Sequence, residues 1–268
     1  MRVQTARLKT LDLFSGIGGF ALAAKMTGGF ETVGFCEIDP YCQKVLSKNF
    51  LGVPIHDDIR SLTARTFPSR IDCITAGFPC QDISGANPNG RGLEGERSGL
   101  FFELMRVVRE IRPRYVVLEN VAEMLRKQDG RVMGTVLREL SESGFDAEWQ
   151  TVSAASVGAP HLRERVFIVA HPRSKRCDNS GAANSKNAVS SNQKWNSTKN
   201  IRTWEGWQRW LKSVCSTSDW FRASPSVPGV DDGVSSRMDR NRIRGLGNAV
   251  VPQAAVIPLR RVLELQRL

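Results

Sequence analysis

Long apolar runs are missing from this 268-residue chain. No stretch approaches the roughly 20 apolar residues that span a bilayer. The start, Met1-Arg2-Val3-Gln4-Thr5, has no secretory apolar core. These absences predict a cytoplasmic protein that does not engage a membrane. Histidine is scarce, with only His56, His161 and His171. The cysteines Cys36, Cys42, Cys73, Cys80, Cys177 and Cys215 never fall in a C-x-x-C pair. Zinc-ligand spacing is therefore absent and no metal is expected. Nothing reads as a disulfide framework, so a reducing compartment is the default. The glycine-lysine phosphate loop is missing too, which argues against ATP.

Acid is in short supply. Lys and Arg number 38 against 27 Asp and Glu, a net charge of +11. Residues 171–245 hold 14 Lys and Arg against 6 Asp and Glu, so +8 of the excess lies in that one stretch. Such a surplus points to a polyanion, with nucleic acid first; a solvated basic surface is the alternative.

The length suits one large domain, or one domain with a small appendage. Residues 8–14 predict a strand, Ser15-Gly16-Ile17-Gly18-Gly19 a turn, and 20–26 a helix. Further strands are expected at 32–36, 71–76, 115–118, 150–153 and 166–170, and His56-Asp57-Asp58-Ile59 closes a third unit. Helices are expected at 41–50, 99–110 and 132–143. An amphipathic stretch over 252–268 ends the chain, and Pro258 should interrupt or kink it. This alternation predicts an α/β fold with a mainly parallel sheet and helices on both faces. Residues 174–203 are rich in Ser and Asn and read as a long loop or poorly ordered segment. Trp204, Trp207 and Trp210 then predict a small satellite core or, alternatively, a surface for base stacking. Repeated turns are expected after Pro225 and Pro228.

The junction Asp12-Leu13-Phe14-Ser15-Gly16-Ile17-Gly18-Gly19-Phe20 lets a ligand approach the backbone and offers a helix N-terminus to a carboxylate. Glu37, at the next strand end, can accept both hydroxyls of a ribose. Asp58 can accept from an adenine amino group, and Ile59 can cover the ring. A glycine turn alone is equally a structural device. With acids at the next two strand ends, it predicts an adenosyl ligand.

A second constellation lies further on. The run Ile71-Asp72-Cys73-Ile74-Thr75-Ala76 stops at Gly77-Phe78-Pro79-Cys80-Gln81, which presents a thiol. Tyr115-Val116-Val117-Leu118 stops at Glu119-Asn120-Val121, which presents a carboxylate. A thiol and an acid at neighbouring strand ends suit covalent addition to an electron-poor ring. Arg163 and Arg165 stand two apart, just before a strand, so both can point one way.

Together these blocks resemble the DNA (cytosine-5)-methyltransferase family of the small bacterial or phage type. The similar blocks are 12–20, 37–39, 58–59, 77–84, 119–121, 163–166 and 247–253, in the family's usual order. The resemblance implies a Rossmann-like S-adenosylmethionine-dependent methyltransferase fold with a small irregular recognition lobe. A catalytic and cofactor-binding domain would cover 1–170 and be completed by 245–268. A small basic target-recognition region would cover 171–244.

By the same resemblance, Cys80 is the nucleophile at cytosine C6 and Glu119 the acid that bonds N3 and the exocyclic amine. Arg165 contacts the cytosine carbonyl, while Arg163 binds near the target phosphate or supports the site. S-adenosyl-L-methionine would lie among Phe14, Ser15, Gly16, Gly18, Gly19, Glu37, Ile38, Asp58, Ile59, Pro79, Leu100, Asn248 and Val250. The target base must leave the duplex. The Gly-rich stretch 81–99 is expected to close behind it, with Gln81, Ser84, Arg91 and Arg97 against DNA. His161 stands where the family usually has glutamine, and 235–240 departs from the family pattern. A monomer acting on double-stranded DNA is expected, linked to a restriction endonuclease in function only. One member of the family acts on transfer RNA, so RNA methylation is a rival reading. A non-catalytic DNA-binding module is another. A nicotinamide enzyme leaves Pro79-Cys80 and Glu119-Asn120 unexplained.

Overall fold

The computed structural model describes residues 6–67, 69–79, 99–159, 161–173 and 236–267, the last span without the side chains of 236–240 and 243. The elements run β1 (Leu8–Leu13), α1 (Gly19–Thr27), β2 (Phe30–Cys36), α2 (Pro40–Asn49), β3 (Ile55–His56), β4 (Cys73–Gly77), α3 (Gly99–Ile111), β5 (Tyr115–Val121), α4 (Arg131–Glu142), β6 (Phe145–Ser153), β7 (Glu164–Pro172), α5 (Ser236–Asn248) and α6 (Pro252–Leu265). Single 3-10 turns cover Ala122–Leu125 and Ala155–Val157.

Seven strands form one sheet in the order β3-β2-β1-β4-β5-β7-β6. The first five are mutually parallel, whereas β7 runs antiparallel to both β5 and β6. The expected mainly parallel α/β architecture is therefore the observed one. Its strands are apolar on both faces, as a sheet sandwiched between helices requires. Leu11 and Leu13 of β1, Val116 and Leu118 of β5, and Val166 and Ile168 of β7 face α3 and α4. Leu8, Tyr115, Val117, Phe167 and Val169, on the other face, pack against α1 and α6. Amphipathic α3 and α4 place Leu104, Met105, Val107, Val108, Val132, Val136 and Leu140 in the first layer. Between them, Arg109 pairs with the buried Glu139. On the opposite face, Arg261 of α6 reaches Glu148 of β6 at 2.7 Å.

The repeated turns expected after Pro225 and Pro228 lie, up to residue 235, outside the described residues. From Ser236 the chain forms α5, which runs through Gly245 and Gly247. Gly245 is buried, and an added Cβ would lie in van der Waals contact with Ile17 and Tyr41, 3.4 Å from each. Pro258 does not interrupt α6. A proline there removes one intrahelical hydrogen bond and crowds the preceding turn. Burial of Pro258 with Ala255, Val256, Leu259 and Val262 offsets that cost. The late strands are also longer than predicted, because each pairs along its whole length with the other.

Candidate active site

In a sheet of this kind, ligands sit beyond the carboxyl ends of the strands. Those of β1, β2 and β3 carry the first group of residues. The chain leaves β1 with Phe14 at φ 52°, Gly16 at φ 54° and Gly18 at φ 91°. Ser15 stabilises this left-handed path by donating its Oγ proton to the Asp12 carbonyl (2.6 Å) and its amide to the Cys36 carbonyl (3.2 Å). The Glu37 carboxylate accepts from the amides of Gly16 (2.7 Å) and Asp39 (2.8 Å), which fixes it beside the turn. Each oxygen keeps a lone pair for a further donor. Gln43 donates to the Glu37 carbonyl at 2.6 Å. Asp39 caps α2 through the Tyr41 and Cys42 amides and also pairs with Arg244 of α5.

Ile38 is 67% exposed beside Glu37, whereas Ile59 is buried. Asp58 accepts the Arg60 amide at 2.9 Å. Phe14 and Leu100 are partly buried against the same core layer. The linker between α5 and α6 closes over the glycine turn. A Cβ on Gly19 would lie 2.3 Å from the Val250 carbonyl oxygen, so only glycine fits there. Asn248 ends α5 and is exposed.

The tips of β4, β5 and β7 hold the second group. Gly77 pairs with Glu119 in register. A Cβ on Gly77 would stand 3.3 Å from Glu119 Oε2 and 3.4 Å from Val250 Cγ2, so Val250 lies where the two groups meet. Phe78 is buried against the Phe101 ring, 5.3 Å between centroids, and Pro79 is exposed. Asn120 donates Nδ2–H to the Phe78 carbonyl (3.1 Å) and accepts the Val121 amide (2.8 Å). This clamp fixes where the chain emerges at Pro79. Cys80, Gln81, Ser84, Arg91 and Arg97 lie outside the described residues.

Glu119 is 8% exposed and its Oε1 lies 3.0 Å from Arg165 Nε. Burial raises its pKa above the ordinary carboxylate value, against the opposing pull of Arg165 and Arg163. Antiparallel pairing of β7 with β5 brings Arg165 diagonally across from Glu119. Arg163 turns instead to the linker, donating Nη1–H to the Gly247 carbonyl (2.7 Å) and Nη2–H to that of Ala249 (3.0 Å). Burial and the neighbouring Arg165 lower its pKa. His161, exposed, shares a groove with Arg163, Gly18, Gly19, Leu22, Leu246 and Val250.

Sequence reasoning treated Asp12 only as the start of a motif. It is fully buried, accepts from Thr75 Oγ1 at 2.7 Å, and has no partner at Oδ2. Burial pushes its carboxyl up to about 8. A carboxylate between Leu11 and Leu13 in a short strand is the signal that could have singled it out. Arg244 and Gln43, which steady Asp39 and Glu37, were missed as well. Neither contact follows from local spacing.

The family model of the C-5 cytosine-specific DNA methylases matches residues 8–228. Type II methyltransferase M2.BsuMI of Bacillus subtilis (strain 168) is 42% identical over 167 residues, covering 61% of this chain and 42% of the relative. M.HhaI of Haemophilus parahaemolyticus is 35% identical over 166 residues, covering 62% and 50%. The chain thus spans about half the length of the curated relatives it matches. The solved structure of a Spodoptera frugiperda DNMT2 mutant superposes with a TM-score of 0.52 at 25% identity, covering 67% of this chain and 56% of that one.

Proposed function

Because the chain belongs to the C-5 cytosine-specific DNA methylase family, we propose that it methylates C5 of a cytosine rotated out of a specific duplex DNA sequence. The observation that carries this reading is Glu119. It is a buried carboxyl of raised pKa, paired with Arg165 one strand away from the clamped exit toward Cys80.

The β1–β2 side suits S-adenosylmethionine as methyl donor. Glu37 offers lone pairs to a ribose diol, Ile38 an exposed apolar surface, and Asp58 an acceptor for an adenine amine. The glycine turn admits a ligand to the backbone, and Pro79, Leu100, Asn248 and Val250 complete the assigned set. The bound cofactor supplies an electrophilic methyl on a sulfonium.

The chain's own residues prepare the acceptor. The Cys80 thiolate adds to cytosine C6, forming a C–S bond and driving electrons toward N3. Protonated Glu119 gives its proton to N3, and Arg165 steadies the carbonyl side of the ring. C5 then has enamine character and accepts the methyl. Loss of the C5 proton to solvent, expulsion of the Cys80 thiolate and return of the N3 proton to the Glu119 carboxylate restore the ring and the starting state. Rotating the base out costs a few kcal/mol of stacking and pairing. The basic stretch 171–244 would supply phosphate contacts and base readout. The remaining assignments are a cytoplasmic monomer and, in function only, a cognate restriction endonuclease. The stretch 81–99 would bring Gln81, Ser84, Arg91 and Arg97 to the DNA.

The test is methyl transfer from labelled S-adenosylmethionine to duplex DNA and to transfer RNA in competition, with bisulfite sequencing of the methylated DNA. Methylation at C5 within one recurrent DNA motif is expected. Preferential labelling of the RNA, or no transfer to either, would overturn the proposal.

A further inference from the structure

The linker that carries Asn248 and Val250 is pressed against the glycine turn on one side, through the contact of Val250 with Gly19. On the other side it is held by one side chain of the base-binding strand region. Arg163 places two guanidinium nitrogens on the carbonyls of Gly247 and Ala249, at the end of α5. A cation is favoured at that negative helix end, and a planar fork can serve two carbonyls two positions apart where an ammonium serves one. Arg163 Nε is buried and, among the described residues, has no hydrogen-bond partner, so part of the guanidinium has left water in this pose. Two residues on, Arg165 holds Glu119. Neighbouring arginines therefore divide their work: one grips the group that meets the base, the other the segment that lines the cofactor.

We propose that Arg163 is a positioning residue that sets cofactor affinity by fixing the Gly247–Val250 segment, where α5 gives way to its linker, rather than a phosphate contact. This rests on the methyltransferase reading above. The experiment is calorimetric binding of S-adenosylhomocysteine without DNA, with DNA affinity followed separately against salt. Arg163→Met is expected to weaken S-adenosylhomocysteine roughly tenfold, as losing about one charge-assisted hydrogen bond would. Arg163→Lys should recover part of that loss. Adding Val250→Ala to Arg163→Met should cost less than Val250→Ala alone, because both act through one linker.

The DNA salt slope should stay unchanged, whereas losing a phosphate contact lowers it by about one. Native cofactor affinity in a folded Arg163→Met, fully additive losses, or a reduced slope with unchanged cofactor binding would each overturn the proposal. If Arg163→Met fails to fold, Arg163→Lys carries the same comparison. Failure of the unsubstituted protein to bind S-adenosylhomocysteine would sink the cofactor reading itself, a distinguishable result.

Discussion

At the tips of β1 and β2 the groups that face a ligand are backbone amides, small residues and one carboxylate already satisfied by two amides. At the tips of β4, β5 and β7 they are charged side chains taken out of water: Glu119 at 8% exposure, with Arg163 and Arg165 beside it. The first arrangement suits holding a polar molecule still. The second suits proton donation to a bound base in the proposed reaction, because burial shifts the Glu119 pKa upward against the pull of its arginines. In the proposed reaction these would be a binding half and a reactive half of one surface, and Val250 meets both Gly19 and Gly77.

The comparison is broken most severely at the reactive half. Glu119→Gln should lower the methylation rate by about 10²–10⁴-fold, the range of a lost general acid, and leave S-adenosylhomocysteine binding near native. Rate–pH profiles should show the unsubstituted enzyme falling as pH rises through the raised Glu119 pKa. An amide has no such proton to lose, so that limb should vanish from the variant. A variant with close to native rate would remove Glu119 from the chemistry.

The binding half should respond in the opposite way. Glu37→Ala removes the acceptor beside the turn and is expected to raise the cofactor KM by about 10–100-fold, with a smaller change in kcat. Equal losses in kcat and kcat/KM would mean the two halves are not separable as described.

Asp12 sharpens the contrast from beneath, since it is a buried acid with no assigned reaction. Its carboxyl is pushed up to about 8 when folded, against about 3.9 when unfolded. The folded state therefore binds the extra proton. The Asp12 contribution to stability is fully present below about pH 4, falls as pH rises toward 8, and levels off above. Asp12→Asn should flatten that fall and stabilise the protein by more than about 1 kcal/mol at pH 8. Chemical denaturation across pH checks it, and an unaltered pH dependence would place the titration elsewhere. The smallest effect is expected at Asn120→Ala, about 1–2 kcal/mol of stability from the lost clamp on the Phe78 carbonyl. Thermal unfolding measures this.

Much of this was legible before any coordinates. Alternating strands and helices, the left-handed glycine turn and the acids at successive strand ends all depend on local residue types and spacing. The pairing of Glu119 with Arg165 was not legible, since it joins strands 46 positions apart in the chain; the resemblance implied only a separate cytosine contact for each. One local rule overreached. Pro258 was expected to interrupt or kink the last helix, yet α6 continues through it. Burial of that helix outweighed an intrinsic preference worth about 3 kcal/mol.

By itself, the order of residue types determined the layered α/β architecture and the kinds of group available at its edge, because apolar periodicity and glycine conformations act over short distances. Only the folded chain decided which charges lose their water and which arginine meets which partner. Those outcomes depend on strands and linkers far apart in sequence arriving side by side, where desolvation is set by everything packed around them.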